Sequence, residues 1–285
     1  MLSYRHGFHA GNFVDVHKHI TLMLLLKSLK RKKAGFCYID THAGAGNYDL
    51  QSEFACKNRE FETGISRIWT LTGVPSAVAD YLDAIRIVNP KFRCRDKNLR
   101  FYPGSPVIAR QLLRPQDRMV LMELHSTEVP LLHALFKNDK QVSVHHRDGF
   151  EGLPALVPPG EKRGLVLIDP SYEMKNEFKI LAHCLINSWQ KWPTGMYAIW
   201  YPVQARQPIP QFHYELRQSG IRKIYLHEFS VYPDTGPDRL AGSGMLIINP
   251  PWQFNEKIRE ILAWLVPLLD RGAQTGFRCE WLVPE

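Results

Sequence analysis

The sequence predicts an α/β fold built on a mostly parallel sheet with helices on both faces, and three observations predict it. Short apolar runs alternate with amphipathic segments along most of the chain. Several of those runs end on or just before an acid: Asp40, Glu123, Asp148 and Asp169. The 285 residues are 45% hydrophobic and 22% charged, a globular composition able to bury one large core.

The elements follow in order. Asn12 is placed to cap a helix, with Asp15 in its first turn, and Phe13, Val16, Ile20 and Leu24 carry the helical apolar spacing to about Lys33. Gly35 ends it, and residues 36–40 form a short buried strand. Residues 50–97 break the alternation. They read as helical and polar, with Phe61, Ile65, Ile68 and Trp69 on one stripe and a second helix over 78–88. Residues 50–100 are therefore expected to be a helical insertion subdomain within a single domain spanning 1–285. Beyond it come a helix over 106–113, a strand over 118–124, a helix over 128–137 and a strand over 141–145. A strand over 165–168, a helix over 177–191 and a strand over 196–200 follow. Residues 221–231 and 245–249 read as two final strands, and 255–270 as the last helix. The expectation is a mixed sheet of seven strands.

Composition excludes some functions. No apolar run approaches the roughly 18 residues a membrane helix needs. The apolar stretch 20–26 lies between Asp15, His17, Lys18 and His19 on one side and a basic run on the other, the wrong order for a secretory signal. The five cysteines are scattered with no Cys-x-x-Cys pair, which argues against a disulfide framework or zinc knuckle and for the cytoplasm. His17 and His19 project to different sides of a helix, so no metal site is expected. The net charge of +8 fits a polyanionic partner. Its two clusters are Lys27, Lys30, Arg31, Lys32 and Lys33 at a helix end, and Lys91, Arg93, Arg95, Lys97 and Arg100 in a polar connection. Cationic capping of the helix end explains the first cluster as well as phosphate binding does.

Asp169-Pro170-Ser171-Tyr172 closes the apolar strand 165–168. It differs by one residue from Asp-Pro-Pro-Tyr, the signature of methyltransferases acting on an exocyclic amino nitrogen of a base. A carboxylate and a neighbouring carbonyl at a strand end can both accept hydrogen bonds from one amino group, and an aromatic ring two residues on can stack on the base. Asp40-Thr41-His42-Ala43-Gly44-Ala45-Gly46 is a Gly-bearing turn after a strand. The pyrophosphate fingerprint is incomplete because position 49 is Asp, although a nicotinamide cofactor fits the turn alone. Glu123 ends a strand where an acid holds ribose hydroxyls, and Asp148-Gly149 ends the next, where an acid meets an adenine amino group. Four such acids at successive strand ends fit S-adenosylmethionine.

These segments resemble the RlmJ family, which methylates N6 of an adenine in 23S ribosomal RNA. The resemblance rests on Met1-Leu2-Ser3-Tyr4-Arg5-His6, Phe8-His9-Ala10-Gly11-Asn12, Asp15 with Lys18-His19, and residues 40–46. Further on it rests on Tyr102-Pro103-Gly104-Ser105-Pro106, Asp148-Gly149-Phe150, residues 169–173, Pro193-Thr194-Gly195 and Tyr197-Ala198-Ile199-Trp200-Tyr201-Pro202. It implies a class I methyltransferase fold, S-adenosylmethionine as donor, and a monomer acting in the cytoplasm on rRNA free of ribosomal proteins. It also implies that His19, His42, Ser105, Glu123, Asp148, Gly149 and Asp169 form the cofactor pocket, to which the turn after the first strand adds Asp40 and Gly44. Asp169, Pro170, Tyr172 and Lys18 would serve catalysis, and Tyr4 and His6 would meet the target base. Ser171 departs from the family's Pro, which frees one backbone dihedral and adds an N–H. Two other readings stay open: a DNA-binding or DNA-processing factor for the use of external DNA, as the family was once described, and a DNA adenine methyltransferase. A pure binder has no need of the acid ladder, and a DNA enzyme normally carries a separate base-reading domain.

Overall fold

A computed structural model describes residues 4–90, 99–204, 208–233, 240–272 and 276–285. Helix α1 (Phe13–Lys30) starts as expected, with the Asn12 side chain accepting the Asp15 N–H at 3.0 Å. It is buried along nearly its whole length.

Strands β1 (Cys37–Asp40), β4 (Arg118–Glu123), β5 (Val142–His146), β6 (Gly164–Ile168) and β7 (Met196–Val203) run parallel. β9 (Gly242–Ile248) enters antiparallel between β7 and β8 (Ile224–Ser230). The sheet has eight strands, not seven, in the order β10-β8-β9-β7-β6-β1-β4-β5. The additional strand is β10 (Phe277–Val283), an antiparallel edge strand on β8. Its own residues from Phe277 to Glu280 alternate half-buried and exposed, so it lacks the apolar run that marked the inner strands. The other seven follow the doubly wound order with an antiparallel end, the arrangement of class I methyltransferases.

Both faces of the sheet are covered. In β6, Leu165 and Leu167 pack into the core shared with α1, α4 (Ser105–Leu112) and α9 (Phe254–Leu269). Val166 and Ile168 pack into the core on the other face, with α6 (Gly149–Leu156), α7 (Glu177–Lys191) and α8 (Ile209–Gln218). Burying each such side chain contributes about 1.5–3 kcal/mol, and period-two alternation delivers it to two cores at once. Helix α5 (Glu128–Phe136) connects β4 to β5.

Between β1 and β4 the chain makes a two-stranded antiparallel ribbon, β2 (Asn47–Asp49) with β3 (Phe101–Pro103). Residues 50–90 between these strands form α2 (Glu53–Asn58), two 3-10 turns and α3 (Ser76–Val88), with no strand among the described residues. The predicted stripe is buried where it carries Ile65, Ile68 and Trp69. Of the second basic cluster, Lys91, Arg93, Arg95 and Lys97 lie outside the described residues, and Arg100 pairs with Asp49 at 3.3 Å. The first cluster sits at the far end of α1, about 20 Å along the helix axis from Lys18. There Arg114 donates to the carbonyl of Lys30 and Arg163 to that of Leu29, so the helix end is capped by cations. No helix among the described residues is long and apolar enough to cross a membrane.

Candidate active site

The register of the parallel strands brings their acids to one edge. Asp40 stands level with Leu121 of β4 and Leu167 of β6, so Glu123 and Asp169, each two residues further on, lie just above it. Between β1 and β6 the strand order reverses, and open α/β sheets place ligands at such a crevice. A cavity of about 370 Å³ lies there, a size suited to a small-molecule cofactor.

Lining the cavity are Tyr4, His6, Lys18, His19, His42, Gly44, Ser105, Glu123, Asp148, Gly149, Asp169, Pro170 and Tyr172, all expected from sequence. Asp40 is the exception. Its carboxylate is fully buried behind the wall instead of on it, accepting from the Tyr38 hydroxyl at 2.7 Å, the Ser105 hydroxyl at 2.7 Å and the His42 N–H at 3.3 Å. Burial pushes its pKa up to about 6, against the hydrogen bonds of Tyr38 and Ser105, which lower it. Asp40 thus fixes Ser105 and the turn that carries His42, and does not face the cavity.

The turn after β1 has the glycines its path requires. Gly44 has φ +62, and a Cβ there would lie 2.2 Å from the Tyr48 hydroxyl. Glu123 accepts the Gly44 N–H and the His125 N–H, each at 2.7 Å, which aims the carboxylate into the cavity. Asp148 caps α6 by accepting the Phe150 N–H at 2.7 Å. A Cβ at Gly149 would meet the Thr41 carbonyl at 2.2 Å, so only glycine lets α6 approach β1 this closely. His42 rests edge-on against Phe150, with ring centroids 5.1 Å apart.

Asp169 closes β6, and Tyr172 follows in the left-handed region at φ +57. That conformation costs a bulky residue about 1–2 kcal/mol. The Tyr172 hydroxyl donates to the Trp200 carbonyl at 2.6 Å, and its ring packs on Phe178 and Trp200, which hold it there. Ser171, in place of the family's Pro, lines the cavity between them.

The residue that sequence reasoning undervalued is Asp15. It is fully buried, yet it accepts from His6 Nε2 at 2.9 Å and from the Gly11 N–H at 2.8 Å, and lies 3.1 Å from Lys18 Nζ. Burial would raise its pKa, but His6, Lys18 and His19 outweigh burial and hold it well below the usual carboxylate range. Lys18 also pairs with Asp169. Burial works against its charge, and the two carboxylates overcome this and raise its pKa, so Lys18 stays cationic. The available signal was the spacing: Asp15, Lys18 and His19 stand at i, i+3 and i+4 and share one helix face. Phe150 and Trp200, present in the sequence motifs but given no role there, also line the cavity.

His17 and His19 point apart, as expected of neighbours two positions apart on a helix. His17 bonds to Ser243 at 2.8 Å and to His227 at 2.9 Å, whereas His19 bonds to the Tyr102 hydroxyl at 2.8 Å. Among the described residues no group of three His, Cys, Asp or Glu side chains could hold a metal ion. Burial lowers the pKa of both His17 and His19 to about 3 and that of His227 well below its ordinary value. Below pH 6.5 protonation therefore favours the unfolded chain. Stability is complete above pH 6.5 and falls by about 1.4 kcal/mol per pH unit for each buried imidazole down to about pH 3. Asp40, raised to about 6, acts in the opposite sense between pH 6 and 4 and offsets about one imidazole. The urea midpoint should drop by the equivalent of roughly 3–4 kcal/mol between pH 7.5 and 5.5; an unchanged midpoint would mean that these imidazoles are protonated in the folded protein.

The profile of the family described as ribosomal RNA large subunit methyltransferase D, RlmJ, matches residues 33–283. The chain belongs to this family. Relatives named ribosomal RNA large subunit methyltransferase J, from Haemophilus influenzae and Escherichia coli, are each 44% identical over 285 residues and 100% of both chains. A crystal structure of protein LPL1258 from Legionella pneumophila superposes with a TM-score of 0.87 at 39% identity, covering 96% of this chain and 98% of that one. The methyltransferase family expected from the Asp169 loop and the N-terminal segments is thus the one found. This RlmJ-family chain is an rRNA methyltransferase, and its cavity is to be read as such.

Proposed function

We propose that the protein transfers a methyl group from S-adenosylmethionine to N6 of an adenine in 23S rRNA, acting as a cytoplasmic monomer on RNA free of ribosomal proteins. The observation that carries this reading is the convergence of Asp169, the Pro170 carbonyl, Tyr172 and Lys18 on one cavity that Glu123 and Asp148 also face.

The residues fit the donor. Glu123, already oriented by two backbone N–H groups, keeps lone pairs for the ribose hydroxyls. Asp148 and Gly149 would lie at the adenine amino group, His42 and Phe150 beside the ring, and Ser105, His19 and Gly44 along the remaining wall. Asp40 contributes by fixing Ser105 and His42. When bound, S-adenosylmethionine supplies an electrophilic methyl group.

The chain's own groups do the rest. The target adenine must leave its stack to reach the cavity. The Asp169 carboxylate and Pro170 carbonyl accept the two N6 hydrogens, which directs the nitrogen lone pair outward. Tyr172 presents an aromatic face to the base, and Tyr4 and His6 border it from the N-terminal arm. Lys18, held between Asp15 and Asp169, fixes the orientation of the Asp169 carboxylate. No strong base is required before transfer, because the proton leaves afterwards, so positioning and electrostatics supply the rate.

The DNA readings are less well supported. Segment 50–100, which we read as an insertion subdomain, offers about 50 residues for reading duplex bases, and a binder without chemistry has no use for this cavity. Calorimetric titration with S-adenosylhomocysteine tests the cofactor assignment. One saturable site is expected, weakened about 10- to 100-fold in Glu123→Ala, the loss of charge-assisted hydrogen bonds. Equal affinity in the variant would remove Glu123 from the site, and no binding by folded wild type would remove the cofactor.

A further inference from the structure

The N-terminal arm and α2 form an aromatic and cationic patch at the cavity mouth that the reaction itself does not use. Phe54 on α2 is 41% exposed. Its ring meets Phe8 edge-on at 5.0 Å, and the Arg5 guanidinium lies 5.2 Å from its centroid. The Lys57 ammonium stands 5.6 Å from the Phe8 ring. The patch is continuous with the cavity, because Tyr4, stacked on His9 at 5.4 Å, lines the cavity and directly precedes Arg5.

Its charge is not cancelled locally. Glu60 is engaged by His9 and Asn12, and Glu62 by Arg59. Arg5 and Lys57 form no ion pair among the described residues, and Glu53 is the remaining acid on this helix. An exposed ring flanked by two such cations matches the chemistry of single-stranded nucleic acid, with a base for the ring and phosphates for the cations. Flipping the target out creates the need for it, since the neighbouring bases lose a stacking partner next to the cavity mouth.

We propose that Arg5, Phe8, Phe54 and Lys57 form a platform for the RNA nucleotides that flank the flipped adenine, with Phe54 stacking on a base and Arg5 and Lys57 meeting phosphates. This deepens the proposed function and rests on it. The platform is indifferent to base identity, so it holds the strand next to the target without selecting the sequence.

The test measures the affinity of a fluorescein-labelled single-stranded RNA oligonucleotide of mixed sequence by anisotropy, alongside calorimetry with S-adenosylhomocysteine. Phe54→Ala should weaken RNA binding about tenfold, Phe54→Tyr should restore it, and cofactor-product affinity should not change. Lys57→Ala, a fully surface change, should reduce the slope of log K against log salt by about 0.7. RNA affinity within twofold of wild type in Phe54→Ala, or an unchanged salt slope in Lys57→Ala, would overturn the proposal. If Phe54→Ala weakens RNA binding but the wild type methylates no adenine, the RNA contact at Phe54 stands and the reaction assignment falls. If the wild type methylates adenine and both variants bind RNA normally, the reverse holds.

Discussion

Asp169→Ala should lower kcat for methyl transfer by at least about 10²–10³-fold while the protein stays folded. Asp169 ends β6 beside the cavity and supplies one of the two acceptors proposed for the amino group. Without it the nitrogen loses its orientation at the moment of transfer, and Lys18 loses one of its two counter-ions. Asp169→Asn should fare little better, because its one acceptor oxygen cannot serve both the Lys18 ammonium and the amino group. The fold survives because Lys18 keeps Asp15 as a partner. Rates from rapid-quench single-turnover assays separate this loss from weaker binding, and a variant with more than a tenth of wild-type kcat would remove Asp169 from the chemistry.

The second large effect is on stability. Asp15→Ala leaves the Gly11 N–H and His6 without their acceptor and deprives a buried Lys18 of half its compensation. Removing one partner from a buried ion pair costs about 3–5 kcal/mol, and the remaining Asp169 contact places the expectation at the lower end. Urea unfolding should show a loss of about 3 kcal/mol. Activity should fall with it, because His6 and Lys18 take their positions from this carboxylate. A loss below about 1 kcal/mol would mean that water or a rearranged Lys18 replaces it.

How much of this was legible in the sequence varied with the physical origin of each element. The inner strands were readable because burial on both faces demands continuous apolar runs, as in residues 36–40 and 165–168. β10 was not, since this edge strand carries the exposed side chains Arg278, Glu280 and Trp281. Helices α6 and α8 were also missed. Both contain proline, Pro154 within α6 and Pro210 in the first turn of α8, where proline reads as a breaker. The ribbon of β2 and β3 has only three residues in each strand, too few for a period to show.

The site divides along the same line. Acids at strand ends were visible because their spacing follows the strands. Which way each one faces was not, as Asp40 shows: it sits at a strand end like Glu123 but turns to Tyr38 and Ser105. The Asp15 cluster was legible as helix spacing, but its weight comes from His6 and Gly11, which only the folded arm brings to it.

The most direct test of the central claim is methyl transfer with product identification. Protein-free 23S rRNA is incubated with the wild-type protein and methyl-labelled S-adenosylmethionine, digested to nucleosides and resolved by mass spectrometry, with duplex DNA in parallel. Label in N6-methyladenosine from the rRNA, absent from the DNA and from reactions with Asp169→Ala, is the predicted result. Label in another nucleoside, label in DNA alone, or none from protein that binds S-adenosylhomocysteine would contradict it.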